Sequence, residues 1–240
     1  MRLSTLPRRS MIVMAATAMV VTSGGIVSAQ GEAGGCPPMQ QVVASPIPSS
    51  SPVSGTPTAT VADTAVRFGE TDALLWRAGD DGVILSHGAA YDAASWRPQA
   101  EAMAAAGRTV LALEQNAPED ILAAAQFLRQ ECGVDQIALI GASAGASTAL
   151  GAATVESDAF EQLIILSGSG DVSGLGELPK LFVASEEEGL ADATRQMAED
   201  APGSDNEAII LPGAAHAQEI FTSDQGSELL QAILDRLHER

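Results

Sequence analysis

One short stretch of this 240-residue chain has the residue types and spacing of a nucleophile: Gly141-Ala142-Ser143-Ala144-Gly145. It directly follows the apolar run Gln136-Ile137-Ala138-Leu139-Ile140 and directly precedes an Ala-rich helical stretch. A strand that passes through G-x-S-x-G into a helix presents its serine on a sharp turn. Gly141 and Gly145 lack the bulk that would hold strand and helix apart. The helix N-terminus beneath the serine offers unpaired N–H groups and a positive dipole end to a developing oxyanion. Glycine is abundant here (23 residues), so the five letters alone are weak; the flanking strand and helix carry the signal.

A serine hydroxyl needs a base, and the histidines are His87, His216 and His238. His238 sits near the C-terminus on a charged face with Asp235, Arg236 and Glu239, which reads as solvated. His216 ends the loop Leu211-Pro212-Gly213-Ala214-Ala215-His216 after the last apolar run, from which a base can reach Ser143. His87-Gly88-Ala89-Ala90 follows the apolar run Val83–Ser86. Gly88 there permits a sharp backbone turn, His87 reads as a structural residue at that turn, and the backbone N–H groups of Ala89 and Ala144 are the candidate oxyanion donors. Tyr91, the sole tyrosine, either lines the pocket or sits on its rim.

The imidazole requires a carboxylate to orient it. Leu181-Phe182-Val183-Ala184-Ser185 ends in Glu186-Glu187-Glu188, of which Glu188 has the best offset from the strand end and Glu187 the next best. Asp171, beyond the run Gln162–Ser167, is the competing acid. These side chains must be positioned by regular elements. Strands are expected at Thr64–Phe68, Ala73–Trp76, Val83–Ser86, Thr109–Glu114, Gln136–Ile140, Gln162–Ser167, Lys180–Ala184 and Glu207–Leu211. Helices are expected at Ala93–Ala106, Glu119–Cys132, Ala144–Val155, Leu190–Ala201 and Gly226–His238. Continuously apolar strands such as Leu163-Ile164-Ile165-Leu166 suit a sheet buried on both faces. The alternation predicts an α/β fold with a doubly wound, mostly parallel sheet of about eight strands, with antiparallel strands at its start. Chemistry in such sheets collects at the strands' carboxyl ends, where every candidate above lies.

Outside this domain, residues 1–29 read as a signal peptide: basic Arg2, Arg8 and Arg9, apolar Met11 to Val21, and a Val27-Ser28-Ala29 cleavage site before Gln30. Arg8-Arg9-Ser10-Met11-Ile12 also suits a twin-arginine signal, so the chain is expected to be exported by either the Sec or the twin-arginine route. Residues 30–61, rich in Pro, Ser and Thr, read as a disordered linker, leaving 62–240 as the folded domain. Loss of residues 1–29 removes three arginines and no acids, taking the formal charge from −19 to −22. That surface repels nucleic acid and anionic membranes, and it favours neutral or cationic substrates. No membrane insertion is expected after cleavage. Cys36 and Cys132 are the two cysteines: they pair in an oxidising compartment, or Cys132 is a buried thiol on the face of Ile121, Ala125 and Leu128. Neither they nor the scattered histidines have metal-ligand spacing, so no metal or cofactor is expected.

Taken together, these residues resemble the α/β-hydrolase fold superfamily over nearly all of Val66 to Leu234. The resemblance rests on His87-Gly88 after the third strand, the Gly141–Gly145 elbow, the loop ending in His216, and the order nucleophile, acid, histidine. It implies a Ser143 that attacks an acyl carbonyl, a His216 that acts as base and then acid, and a Glu188 that steadies the imidazolium. It further implies a small, lidless member near the carboxylesterase and dienelactone-hydrolase-like branches, since the short segment between Ser167 and Lys180 leaves no room for a cap domain. Two departures stand out. A glutamate takes the place of the usual aspartate, and the dienelactone hydrolases themselves usually carry cysteine at the elbow. The implied activity is hydrolysis of small-molecule carboxylic esters. Thioester or peptide cleavage on the same residues, or a non-catalytic tethered binding domain, are the alternatives.

Overall fold

The computed structural model describes residues 35–39 and 61–239; the signal-peptide reading and most of the linker reading lie outside them. Eight strands form one sheet: β1 (Thr64–Phe68), β2 (Thr71–Trp76), β3 (Gly82–Ser86), β4 (Thr109–Leu113), β5 (Ile137–Ala142), β6 (Gln162–Leu166), β7 (Lys180–Ser185) and β8 (Asn206–Leu211). Their order is β1-β2-β4-β3-β5-β6-β7-β8. β1 and β2 run antiparallel to their neighbours, and all the other pairings are parallel.

Strand periodicity divides the core into two. Leu75, Ile84, Leu111, Leu139, Leu163 and Phe182 face one side. There they meet the apolar stripes of α2 (Pro118–Gln130), α3 (Ala144–Val155) and α4 (Ala191–Asp200). The alternate residues, including Trp76, Val83, Leu85, Ile140, Leu166 and Val183, face the opposite side. They pack on α1 (Arg97–Ala105) and α5 (Gly226–His238). β3, β4, β5, β6 and β7 are buried along their whole length, as a sheet covered on both faces requires.

One expected helix differs. Ala93–Ala106 is broken into a 3-10 turn, Ala93–Trp96, and then α1, because Pro98 lacks an N–H and is accepted only in a helix's first turn. Asp92 caps the 3-10 turn by accepting from the Ser95 N–H. A second 3-10 turn, Ala217–Thr222, and a third, Ser157–Ala159, had no apolar period to announce them.

Register carries the fold's order into the site. Ser86 pairs with Gly141 and Ala142 with Leu166, so β3, β5 and β6 end close together, while Leu166 pairs with Val183 and Ser185 with Leu211, so β7 and β8 run two residues further. At the opposite end, Lys180 is the chain's sole lysine and is fully buried. Its ammonium donates to the carbonyl oxygens of Gly176, Leu178 and Pro202 at 2.8, 2.7 and 2.6 Å, tying the segment before β7 to the one before β8. Burial lowers its pKa from the ordinary lysine value, against the opposing pull of Glu177.

Cys36 and Cys132 form a disulfide across 96 residues, so Cys132 is not the buried free thiol offered as the alternative. The bond fastens the described segment 35–39 to the end of α2, where Cys36 packs on the core. A loop this long is constrained mainly in the unfolded chain. Replacing both cysteines with serine should lower the unfolding free energy by about 2–4 kcal/mol, read as a drop in the urea midpoint. An unchanged midpoint would show that the bond does not constrain the unfolded chain.

Candidate active site

Ser143 occupies the turn between β5 and α3 with φ 53° and ψ −113°. Such a conformation is costly for a residue with a side chain, by about 1–3 kcal/mol, and surrounding structure must hold it. Its N–H donates to Leu166 O at 2.9 Å, anchoring the turn to the end of β6. A Cβ on Gly145 would lie 2.3 Å from Ser86 O, and one on Gly141 2.5 Å from Gly145 O. These two glycines are therefore required by close packing; neither has a positive φ.

The sequence-selected residues are brought together as follows. His216 Nε2 lies 2.9 Å from Ser143 Oγ, and His216 Nδ1 lies 2.5 Å from Glu188 Oε2. A carboxylate oxygen only accepts, so the ring proton sits on Nδ1 and Nε2 is free to accept from the serine hydroxyl. The Glu188 side chain is 2% exposed, whereas that of His216 is 44% exposed. Glu188 Oε1 accepts from the Ser185 N–H at 2.6 Å and from Ser167 Oγ at 2.8 Å, so the buried carboxylate is fully engaged.

The rival acids lie elsewhere. Glu187 is exposed, and its backbone N–H donates to Gly213 O at 2.9 Å. Asp171 is exposed and accepts from the Ser173 N–H at 2.9 Å, a bond that holds its carboxyl below the ordinary carboxylate range. The carboxylate bonded to His216 is that of Glu188, not of either rival.

The turn after β3 is braced from several sides. His87 is buried, with Nδ1 2.8 Å from Gly88 O and Nε2 3.3 Å from Glu114 O, so its ring bonds to backbone carbonyls and not to Ser143. Asn116 Nδ2 donates to His87 O at 2.8 Å. Gly88 does not have the positive φ that a sharp glycine turn would need. What it supplies is proximity, since a Cβ there would lie 3.4 Å from Ser143 Cβ. The Gly88 N–H is already occupied by Gln218 Oε1 at 2.8 Å. Among the described residues, no group accepts from the N–H of Ala89 or of Ala144, and both residues are exposed beside the serine. Tyr91 is also exposed, and its N–H closes the turn onto Gly88 O at 3.0 Å.

Three site residues had no signal in the sequence: Ser167, Ser185 and Gln218. Ser185 Oγ donates to Ala215 O at 2.5 Å, and Ser167 Oγ accepts from the Ala217 N–H at 2.7 Å, so a serine hydroxyl holds the residue on each side of His216. Gln218 is buried and links the Gly88 N–H to Ser95 Oγ through its two amide atoms. Only their positions at strand ends, or two residues past the histidine, mark them out. Among the described residues, no cluster of His, Cys, Asp and Glu suits a metal, and no helix is long and apolar enough to cross a membrane.

The architecture has known counterparts that are distant in sequence. A hormone-sensitive lipase from a metagenome library matches with a TM-score of 0.63 and 17% identity, covering 75% of this chain and 86% of that one. A dienelactone hydrolase from Anabaena variabilis ATCC 29413 matches with a TM-score of 0.61 and 17% identity, covering 72% and 94%. A monoacylglycerol lipase from Paleococcus ferrophilus matches with a TM-score of 0.58 and 15% identity, covering 70% and 98%. No protein-family profile matches the sequence, and no curated protein is detectably similar to it. The chain has the α/β-hydrolase fold. No helix intervenes between β6 and β7, so it has no cap domain there.

The packing separates the glycines experimentally. Gly145→Ala should destabilise the protein by about 3 kcal/mol in urea unfolding, because backbone atoms of Ser86 and His87 stand in the way. Gly88→Ala should cost under about 1 kcal/mol, its Cβ meeting only contacts of 3.4 Å or more. Equal effects would contradict the close packing of α3 on β3.

Proposed function

We propose that this protein is an exported serine hydrolase that cleaves carboxylic esters of small molecules through an acyl-enzyme. The observation that carries the reading is the unbroken chain from Ser143 Oγ through His216 to the buried Glu188, at 2.9 and 2.5 Å. A solvated serine of no consequence needs neither a strained backbone nor an imidazole nitrogen held at its hydroxyl. The esterases and lipases that share the fold support the same reading by analogy.

In this mechanism Ser143 Oγ attacks the ester carbonyl carbon while its proton passes to His216 Nε2. The N–H groups of Ala89 and Ala144 stabilise the oxyanion, and they remain available because no group among the described residues accepts from them. Collapse of the tetrahedral intermediate expels the alcohol, which takes the proton from His216. Water, deprotonated by the same nitrogen, then attacks the acyl carbon and releases the acid with Ser143 restored. Glu188 stays ionised throughout and stabilises the imidazolium. The absence of a cap between β6 and β7 leaves the site open, which suits small or extended esters. No cofactor enters this chemistry.

A fluorophosphonate should label the mature protein stoichiometrically at Ser143, and short-chain aryl esters should be hydrolysed. Ser143→Ala and His216→Ala should each lower kcat by about 10³-fold or more, and Glu188→Gln by about 10²-fold or more. Glu187→Gln and Asp171→Asn should leave kcat within about twofold, because neither side chain reaches the imidazole. Folded protein that resists labelling would overturn the reading.

Export rests on the signal-like residues 1–29 and is supported by the Cys36–Cys132 disulfide, since such bonds persist in oxidising compartments. Protein recovered from outside the cytoplasm of an expressing cell should begin at Gln30 by N-terminal sequencing. Retention with Met1 intact would count against it.

A further inference from the structure

We infer that Ser167, at the end of β6, is a positioning residue whose hydroxyl couples the acid to the histidine loop. The inference rests on the hydrolase reading for its kinetic consequence, though its geometric content stands apart from that reading.

Ser167 is 3% exposed and follows directly on Leu166, whose carbonyl anchors the Ser143 N–H. Its hydroxyl has one proton to give, and the partner at 2.8 Å is Glu188 Oε1, which only accepts. The same oxygen accepts from the Ala217 N–H at 2.7 Å. Among the described residues, the hydroxyl is thus the one group bonded both to the carboxylate and to the backbone directly after His216. The order of donation, from N–H to hydroxyl to carboxylate, is fixed from both ends, and each bond polarises the next.

The backbone is unusual at the same residues. Among the described residues, three non-glycine residues have positive φ: Ser143 at 53°, Ser167 at 49° and Ala217 at 52°. Two of these three are the partners in a single hydrogen bond, and the third is the nucleophile. Glycine would meet the conformation of Ser167 without steric cost, so backbone shape gives no reason for a serine there. The hydroxyl is what glycine lacks. Without it, Glu188 Oε1 keeps only the Ser185 N–H, and the Ala217 N–H is left buried without a partner. The carboxylate is then free to turn about its terminal bond, and the His216 loop loses one of its two serine holds.

Ser167→Gly separates the two roles. It relieves the backbone and deletes the hydroxyl, so the melting temperature should stay within a few degrees of wild type while kcat falls about ten- to a hundredfold with KM within about twofold. The downfield proton resonance of His216 Nδ1, assigned by its loss in His216→Gln, should weaken or move upfield in Ser167→Gly. Ser167→Ala, which keeps a side chain at φ 49°, should give the same change in the resonance with a lower melting temperature. It also serves if the glycine variant does not fold. An unmoved resonance in either folded variant would overturn the inference. If wild-type protein shows the resonance but resists fluorophosphonate, the hydrolase reading has failed, and the resonance in the variants still decides the role of Ser167.

Discussion

The arrangement depends on one buried charge. Glu188 has a side chain 2% exposed, and among the described residues its ion-pair partner is His216. A carboxylate in such a place is tolerated only if each oxygen is met by donors. Oε1 receives the Ser185 N–H and the Ser167 hydroxyl, and Oε2 receives His216 Nδ1–H. Those donors come from the ends of β6 and β7 and from the loop after β8. The sheet register, which brings the ends of β6, β7 and β8 to the same edge, is therefore a condition for seating the acid there.

The length of the glutamate fits this geometry. Glu188 lies three residues beyond β7, on a turn that Gly189 closes with φ 87°. From there its side chain folds back over the turn to reach the N–H of Ser185. An aspartate, one methylene shorter, would give up either that anchor or the imidazole. The same strand end also restrains the histidine loop, because Glu186 and Glu187 donate their N–H groups to Leu211 O and Gly213 O. Two of the three consecutive acids thus act through their backbone, with their side chains left in solvent.

How much of this the sequence disclosed follows from the kind of force involved. All eight strands and all five long helices were legible, because apolar periodicity records burial directly. The pairing of Gly141 and Gly145 around Ser143 was legible because a strand–turn–helix leaves no room for a Cβ. Glu188 could be placed first among its rivals by strand offset, but three acids in a row cannot be ranked further without knowing where a turn bends. Ser167, Ser185 and Gln218 were invisible for a different reason. Serine and glutamine are common in loops, and their bonds to Glu188, Ala215 and Gly88 span 21 to 130 residues. Long-range side-chain hydrogen bonds leave no periodic trace in the residues between.

The burial gradient along the chain of hydrogen bonds explains why such partners are needed. The acid end is dry and the imidazole is 44% exposed, so water that could otherwise compete for the ring is kept away from one edge only. In the proposed hydrolysis that open edge is useful, since the deacylating water must reach Nε2. Orientation cannot then come from packing around the ring. It has to come from the dry side, through the carboxylate and through the backbone of Ala215 and Ala217, which the hydroxyls of Ser185 and Ser167 hold at 2.5 and 2.7 Å. A site that stays open to solvent above the histidine must be over-determined beneath it, and the strained φ of Ser167 and Ala217 is the cost of bringing those groups within bonding distance.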